Sequence, residues 1–325
     1  MLSSKIRFGI VGAGNIARKF AEDILLSEYA VLSGVASRDI KKAEAFKEKY
    51  NVTKAFGSYE EMANCDFIDA VYIATPHNFH KPNSILYLNH KKHVLCEKPV
   101  AVNKQEFEEM AFAAKSNKVL LMEAMWTRFL PVSKEVKQIV LSKKYGAIKS
   151  ISVSLGMDLK KSDRQQERLH NKNIAAGSLL DLGVYPISYV LSLITSNIKD
   201  ISIKYEMNDF GYDLSENIIV HFENDITANI KSSMIENLDN KAVINFHNHT
   251  LVVDDFIRAN YYLVNNKKYT MEYNGGGFTP QIDSFCRSIR ANQLENHIMT
   301  HNESRKVMSL MDEIRSIMNF KYPFE

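Results

Sequence analysis

The stretch Ile6-Arg7-Phe8-Gly9-Ile10-Val11-Gly12-Ala13-Gly14-Asn15-Ile16-Ala17 decides how this 325-residue chain is read. Ile6 to Val11 is a short apolar run of the kind that makes a buried strand, and the glycines end it. Beyond them Ile16, Phe20 and Ile24 recur every fourth residue, which predicts a helix over 15–27. The same alternation continues outward. Val31–Ala36 reads as a strand, and Asp39–Tyr50 as a helix with Ile40, Ala43 and Phe46 inward. Ser58 and Glu61 form a capping box. Ala70–Ala74 is a strand ended by Thr75-Pro76, His93–Cys96 is another, Asn103 with Glu106 opens a helix, and Val119–Met122 is the last strand of the set. Strands alternating with helices at this spacing make a parallel sheet with right-handed crossovers.

After about Met125 the pattern changes. Ile148–Met157 is a longer strand, Leu159–Asn173 is polar and irregular, and Gly177–Ile194 is strongly apolar. Strand-like runs then follow at Ile198–Met207, Glu216–Phe222, Ile226–Ser232, Lys241–His247, Thr250–Phe256 and Tyr261–Lys268. With no helices between them they predict an antiparallel sheet. Gly275-Gly276-Gly277 is a turn, and Phe278–Arg290 and Asn302–Asn319 read as helices with Phe278, Ile282, Phe285 and Ile289 as core. The length suits two domains, divided as 1–123 and 124–325. Hydrophobic residues at 45% and charged residues at 24% exclude a disordered or low-complexity chain. Lys plus Arg at 41 against Asp plus Glu at 38 leaves +3, too balanced to indicate a nucleic-acid surface. Cys65, Cys96 and Cys286 are far apart, which argues against a disulfide framework and a thiolate zinc site and points to a reduced, cytoplasmic setting. No run of about 18 uninterrupted apolar residues predicts a membrane span.

Five stretches carry chemistry. Gly12-x-Gly14-x-x-Ala17 follows a strand and opens a helix, the context that dinucleotide binding requires. Gly12 permits the tight turn, Gly14 lets the main chain approach a pyrophosphate, and Asn15 and Ile16 begin the helix whose free N–H groups favour it. Ser37-Arg38 stands where an NAD site usually has a carboxylate. Arg38 suits a 2′-phosphate, which favours NADP over NAD. The alternative puts Asp39 on the ribose, although Asp39 reads better as a helix N-cap. Thr75-Pro76-His77-Asn78-Phe79-His80 follows a central strand and lines a ligand crevice. No Cys or carboxylate is near enough in sequence to make its histidines a metal site. Glu97-Lys98-Pro99 ends a strand at the same crevice. Asp181-Leu182-Gly183-Val184-Tyr185-Pro186 puts Asp181 and Tyr185 on one helical face, but Pro186 cannot sit undisturbed inside a helix. His247 and His249 alternate on one face of a strand and read as exposed sheet, not metal ligands.

Together these residues resemble the glucose–fructose oxidoreductase / inositol dehydrogenase / rhizopine-catabolism family (Gfo/Idh/MocA). The glycine motif, Ala74-Thr75-Pro76 with His80, Glu97-Lys98-Pro99, Glu123–Phe129 with Pro131, Asp181–Tyr185, Phe278-x-x-Gln281-Ile282-x-x-Phe285 and Tyr322-Pro323 carry the resemblance. It implies an α/β chain: an N-terminal Rossmann domain, then a C-terminal α+β domain with a large, open, mainly antiparallel sheet that often forms a homodimer. It further implies NAD(P)-dependent hydride transfer on a sugar, polyol or diol. Tyr185, Trp126, Arg128 and Ser37-Arg38 resemble the branch with dimeric dihydrodiol dehydrogenase and NADP-dependent D-xylose dehydrogenase. The family often has three glycines before the Asp motif; Ala175-Ala176-Gly177 stands there and puts the substrate in doubt.

On that resemblance Gly12, Gly14, Asn15, Ile16, Ser37, Arg38, Thr75, Pro76, Asn78, His80, Glu97, Lys98, Trp126 and Arg128 are the expected cofactor-binding residues. Lys98, Tyr185 and Asp181 are the expected catalytic set. Tyr185 is the acid/base, an adjacent ammonium would lower its ordinary value near 10, and Asp181, Tyr185 and Arg168 hold substrate. A keto-sugar reductase using the same residues, or a non-catalytic NAD(P)-binding regulator, are the alternatives.

Overall fold

A computed structural model describes residues 5–159 and 171–325. They form two compact units, Met1–Trp126 with Asn274–Arg305 and Thr127–Tyr273 with Lys306–Glu325.

The first unit is built on six parallel strands: β1 (Ile6–Val11), β2 (Ala30–Ala36), β3 (Lys54–Phe56), β4 (Ala70–Ile73), β5 (His93–Glu97) and β6 (Leu121–Ala124). Their order is β3-β2-β1-β4-β5-β6, so the chain moves outward one way from β1 and then the other way from β4. All neighbours are parallel. The sheet is apolar along each strand because helices cover it: Phe8, Ile10, Val71, Tyr72, Ile73, Val94 and Leu95 have no exposed surface. The helices start where short polar side chains accept main-chain N–H groups. Asp39 accepts from Lys41 at 3.1 Å, Ser58 from Glu61 at 3.0 Å and Asn103 from Glu106 at 2.9 Å. Asp39 is thus the N-cap of α2 (Ile40–Tyr50), which itself follows α1 (Asn15–Ile24). Ile40, expected inside, is 45% exposed because it opens that helix ahead of the buried Ala43–Phe46 stripe. Strand β3 and the helix His80–Asn89 were not anticipated by the apolar pattern.

The division expected at residue 123 differs from the structure in one respect. The chain comes back to the first unit at Asn274–Arg305. The buried Asp23 carboxylate explains why: it accepts main-chain N–H groups of Gly276 (2.7 Å), Phe278 (2.6 Å) and Thr279 (3.3 Å). Around that anchor Phe285 packs on Phe8 with ring centroids 5.7 Å apart, and Phe278 packs on Phe20 at 6.4 Å. Further along, Arg305 grips Glu108 with both arms of its guanidinium and Ser304 donates to Glu123 at 2.7 Å.

The second unit is an eight-stranded sheet: β7 (Ser150–Gly156), β8 (Ile198–Met207), β9 (Asp213–Phe222), β10 (Thr227–Ser233), β11 (Ala242–Asn245), β12 (Thr250–Val253), β13 (Tyr261–Val264) and β14 (Lys267–Thr270). Its order is β14-β13-β12-β11-β7-β10-β9-β8, antiparallel throughout except for the parallel pair β7–β10. One face is buried, with Ile151, Val153, Ile218, Val220, Ala228 and Ile230 turned inward. The single strand expected over 261–268 is a hairpin. Asn265 and Asn266 both take positive φ (46° and 68°), the mirror-image turn that asparagine tolerates. His247 and His249 lie in the turn after β11, not along a strand, because pairing stops at Asn245. The run Lys172–Leu193 is long and apolar enough to cross a bilayer, yet 89% of its apolar window is buried in the protein. Its apolar part, residues 179–193, belongs to the core of the second unit.

Replacing Asp23 with Ala leaves the buried N–H groups of Phe278 and Thr279, and the part-buried one of Gly276, without their acceptor and should lower unfolding free energy by about 3 kcal/mol. Denaturant unfolding of the two proteins measures this; an unchanged midpoint would mean that the Asp23 anchor is not needed.

Candidate functional site

At the carboxyl end of β1 the chain makes the turn its sequence requires. Gly12 has φ +98°, and a Cβ there would stand 2.8 Å from the Ala74 carbonyl oxygen at the end of neighbouring β4. Gly14 precedes α1 in extended conformation, with no side chain capping the helix. A Cβ on Gly14 would meet nothing within 4 Å. The turn therefore opens onto space, as a backbone that must approach a phosphate should.

That space is a cavity of about 640 Å³. Of the expected cofactor residues it brings together Gly12, Gly14, Ser37, Arg38, Thr75 and Pro76. It adds several that the sequence reading missed: Arg18, Lys42, Lys49, Phe46, Tyr50 and Tyr59. Lys42, Phe46 and Lys49 had a signal, since positions i, i+4 and i+7 share one helix face. The lining holds four cationic side chains and no carboxylate. Arg38 is itself placed by neighbours. Its guanidinium lies 5.5 Å from the Phe79 ring centre and hydrogen-bonds the Tyr59 side chain. Burial raises the Tyr59 phenol, and Arg38 opposes part of that rise. Ser37 accepts the Asp39 N–H at 3.2 Å. This set fits a dinucleotide carrying an extra phosphate on its adenosine side.

The other expected residues have different surroundings. Asn15 and Ile16 open α1, and Asn78 sits in the 3₁₀ turn His77–Phe79. His80 is fully buried, its ring nitrogens 2.8 Å from the Pro99 carbonyl and 2.9 Å from the Thr75 carbonyl. It therefore braces the chain after β4 against the chain after β5. Glu97 is buried and takes hydrogen bonds from the Tyr72 hydroxyl and the Lys98 N–H. Lys98 is half-buried at the end of β5. Trp126 is buried and stacks on Phe278, centroids 5.3 Å apart.

In the second unit Asp181 lies in a π-helical turn, Leu179–Gly183, that runs into α3 (Val184–Leu193). This bears on the tension at Pro186. The Val184 N–H reaches back five residues to the Leu179 carbonyl, so the regular α-helical ladder is already interrupted just before the proline that lacks an N–H. Asp181 is 6% exposed and Tyr185 is half-buried. Arg128 is buried and donates to the Ser188 hydroxyl at 2.8 Å. The Ala175 and Ala176 methyl groups are buried, with Ala175 at φ +58°. Arg168 lies outside the described residues, as does most of the loop that contains it. Among the described residues no cluster of three His, Cys, Asp or Glu side chains could hold a metal.

The comparisons with known proteins match both halves of the chain. Residues 6–125 match the oxidoreductase family with an NAD-binding Rossmann fold, and residues 133–252 match the GFO/IDH/MocA C-terminal domain. Among relatives, scyllo-inositol 2-dehydrogenase (NADP(+)) of Bacillus subtilis is 33% identical, covering 98% of this chain and 98% of its own. Trans-1,2-dihydrobenzene-1,2-diol dehydrogenase of Mus musculus is 30% identical with the same coverage. The fold is similar to that of a 3-ketoreductase from Actinomadura kijaniata, solved with NADP and TDP-benzene. The TM-score is 0.87 at 21% identity, covering 96% of this chain and 98% of that one. The chain belongs to the Gfo/Idh/MocA family of NAD(P)-binding oxidoreductases.

Glu97 gives the first unit a measurable pH response. Burial is the largest influence and lifts its carboxyl to about 7, against the opposing pull of the Tyr72 hydrogen bond and the Lys98 charge. The fold thus holds a proton that the unfolded chain has released. Its stability is complete below about 4.5 and declines as pH rises through about 7. Thermal midpoints recorded across that window should fall with pH in the wild type and fall less in Glu97→Gln. Equal slopes in the two proteins would refute the assignment.

Proposed function

We propose that this family member is an NADP-dependent dehydrogenase moving a hydride between NADP(H) and the hydroxyl or carbonyl carbon of a sugar, polyol or trans-diol. The observation that carries the cofactor choice is the cavity lining: Arg18, Arg38, Lys42 and Lys49, with no carboxylate to receive a ribose hydroxyl. The names of the relatives support the substrate class. Scyllo-inositol and trans-1,2-dihydrobenzene-1,2-diol both present adjacent hydroxyls on a six-membered ring.

In this reading the main chain at Gly12, Gly14, Asn15 and Ile16 takes the pyrophosphate, and Ser37 and Arg38 take the 2′-phosphate. Thr75, Pro76, Asn78, Trp126 and Arg128 serve the rest of the cofactor. His80 and Glu97 act on it through the main chain they brace. The cofactor supplies the hydride acceptor and donor. The protein must then move one proton at the substrate oxygen. We assign that proton to the Tyr185 hydroxyl, with Lys98 favouring its ionised form and Asp181 holding a neighbouring hydroxyl. A homodimer through the second-unit sheet and a cytoplasmic setting belong to the same proposal. The three free thiols Cys65, Cys96 and Cys286 support that setting, and light scattering of the purified chain tests the dimer.

Two measurements test the reading. NADPH and NADH titrations, followed by nicotinamide fluorescence, should show tighter NADPH binding that collapses in Arg38→Ala. Equal affinity for the two would reassign Arg38 to the solvent-facing surface. Tyr185→Phe should bind NADPH like the wild type and turn over diols or polyols about 10²–10⁴-fold more slowly. Undiminished turnover would remove Tyr185 from the chemistry.

A further inference from the structure

The π turn bearing Asp181 rests on two buried carboxyls that the proposed reaction does not use. Asp213 begins β9 and is 0% exposed; Glu216, three residues on, is 1% exposed. In a regular strand residues three apart point to opposite faces. Here the register breaks: Glu206 pairs with Ser215 and Met207 with Asp213, so Leu214 is left over as a bulge. The bulge turns Asp213 to the face that Glu216 occupies, which brings the two carboxyls near enough to act on each other.

The surroundings of the pair are built for contact with the turn. Asp213 Oδ2 accepts the Leu179 N–H, the first residue of the turn, at 2.5 Å. Glu216 Oε2 accepts from the hydroxyls of Ser178, one residue before the turn, and of Ser232, its direct cross-strand partner. Glycine stands on each side. A Cβ on Gly177 would lie 2.1 Å from Asp213 Oδ1, and one on Gly183 would lie 2.9 Å from Ser232 Oγ. Among the described residues, none donates an N–H or O–H to Asp213 Oδ1 or Glu216 Oε1, both of which are buried. Two ionised carboxylates cannot hydrogen-bond each other; one proton between them can satisfy both.

We propose that Asp213 and Glu216 share a single proton and act as the positioning pair for the turn that carries Asp181 and leads into Tyr185. The proposal rests on the roles given above to those two residues. Glu216 holds the proton and donates it to the ionised Asp213, whose other oxygen anchors Leu179. Burial raises both carboxyls, Glu216 the further, and the Asp181 charge adds to the rise at Asp213. Tyr322 is a further titratable neighbour of Asp213, and Tyr212 precedes it in the chain. The Tyr322 hydroxyl donates to the Ala176 carbonyl at 3.0 Å, and the Arg315–Glu325 ion pair lies beside its ring. Loss of the shared proton sets two anions against each other beneath the turn and frees Leu179 and Ser178. The turn therefore loosens as pH rises.

The test uses the full chain, with Glu216→Gln as the isosteric variant whose amide donates to Asp213 at every pH. Melting is followed between about pH 6 and pH 9, with amide hydrogen exchange of the 178–186 segment corrected for the intrinsic base-catalysed rate. The wild type should lose stability and protection as pH rises, and Glu216→Gln should lose less of both. The Glu97 contribution is common to the two proteins and drops out. Glu216→Ala should expose 178–186 to exchange at all pH values and lower kcat on scyllo-inositol or trans-dihydrobenzenediol about tenfold or more, with NADPH affinity unchanged. If the Ala variant does not fold, the Gln comparison decides alone. Identical pH dependence in wild type and Glu216→Gln, or unaltered exchange in Glu216→Ala, would overturn the pair. Full turnover in Tyr185→Phe would instead overturn the catalytic reading and leave the melting and exchange results standing.

Discussion

Everything proposed for the first unit depends on one main-chain approach: the Gly12 Cα and the Ala74 carbonyl cannot admit even a methyl group between them. That closeness exists because β1 and β4 are neighbours at the point where the sheet reverses its order. The two strand ends share a crevice, and the chain leaving β1 must turn out of it at once. A left-handed turn at Gly12 accomplishes this, and it points the start of α1 into the cavity rather than into the sheet. Arg38, Thr75 and Pro76 reach the same cavity because β2 and β4 flank β1. Three separate stretches of sequence converge through a single strand order.

Most of this was legible because it is local. Strand β1, the Asp39 cap, the two capping boxes and strand β8 follow from periodicity and side-chain hydrogen bonding within a few residues. What escaped was decided by distant partners. Asp23 reads as a surface carboxylate in an amphipathic helix until the segment 276–279 is set against it. Asn265-Asn266 lacks the glycine that marks a hairpin, so one strand was expected where two pair. Lys42 and Lys49 look like any solvated helix face, and only the cavity gives them a common task. Pro186 announced a departure from the α-helix. The form of that departure was set by Asp213, which lies in another strand.

The charged side chains of the two units meet different surroundings. The first keeps four cations around an open cavity, where solvent or an anionic ligand can neutralise them. The second encloses acids and has to satisfy them internally, with serine hydroxyls, a main-chain N–H and each other. Burial disfavours the charged form of a carboxyl, which is why both Asp213 and Glu216 are raised. Glu97, under the Tyr72 hydroxyl, is a smaller instance of the same rule in the first unit.

The Asp23 anchor also bears on how the chain is made. Phe8 and Phe20 are made long before Phe278 and Phe285, whose rings pack on them. Until residue 279 has been synthesised, the nascent first unit displays an uncovered aromatic face and a carboxylate still bound to water. Contacts of such wide sequence separation form slowly and leave apolar surface exposed meanwhile. Molecular chaperones bind surface of this kind, and here the late segment 276–279 is what covers it.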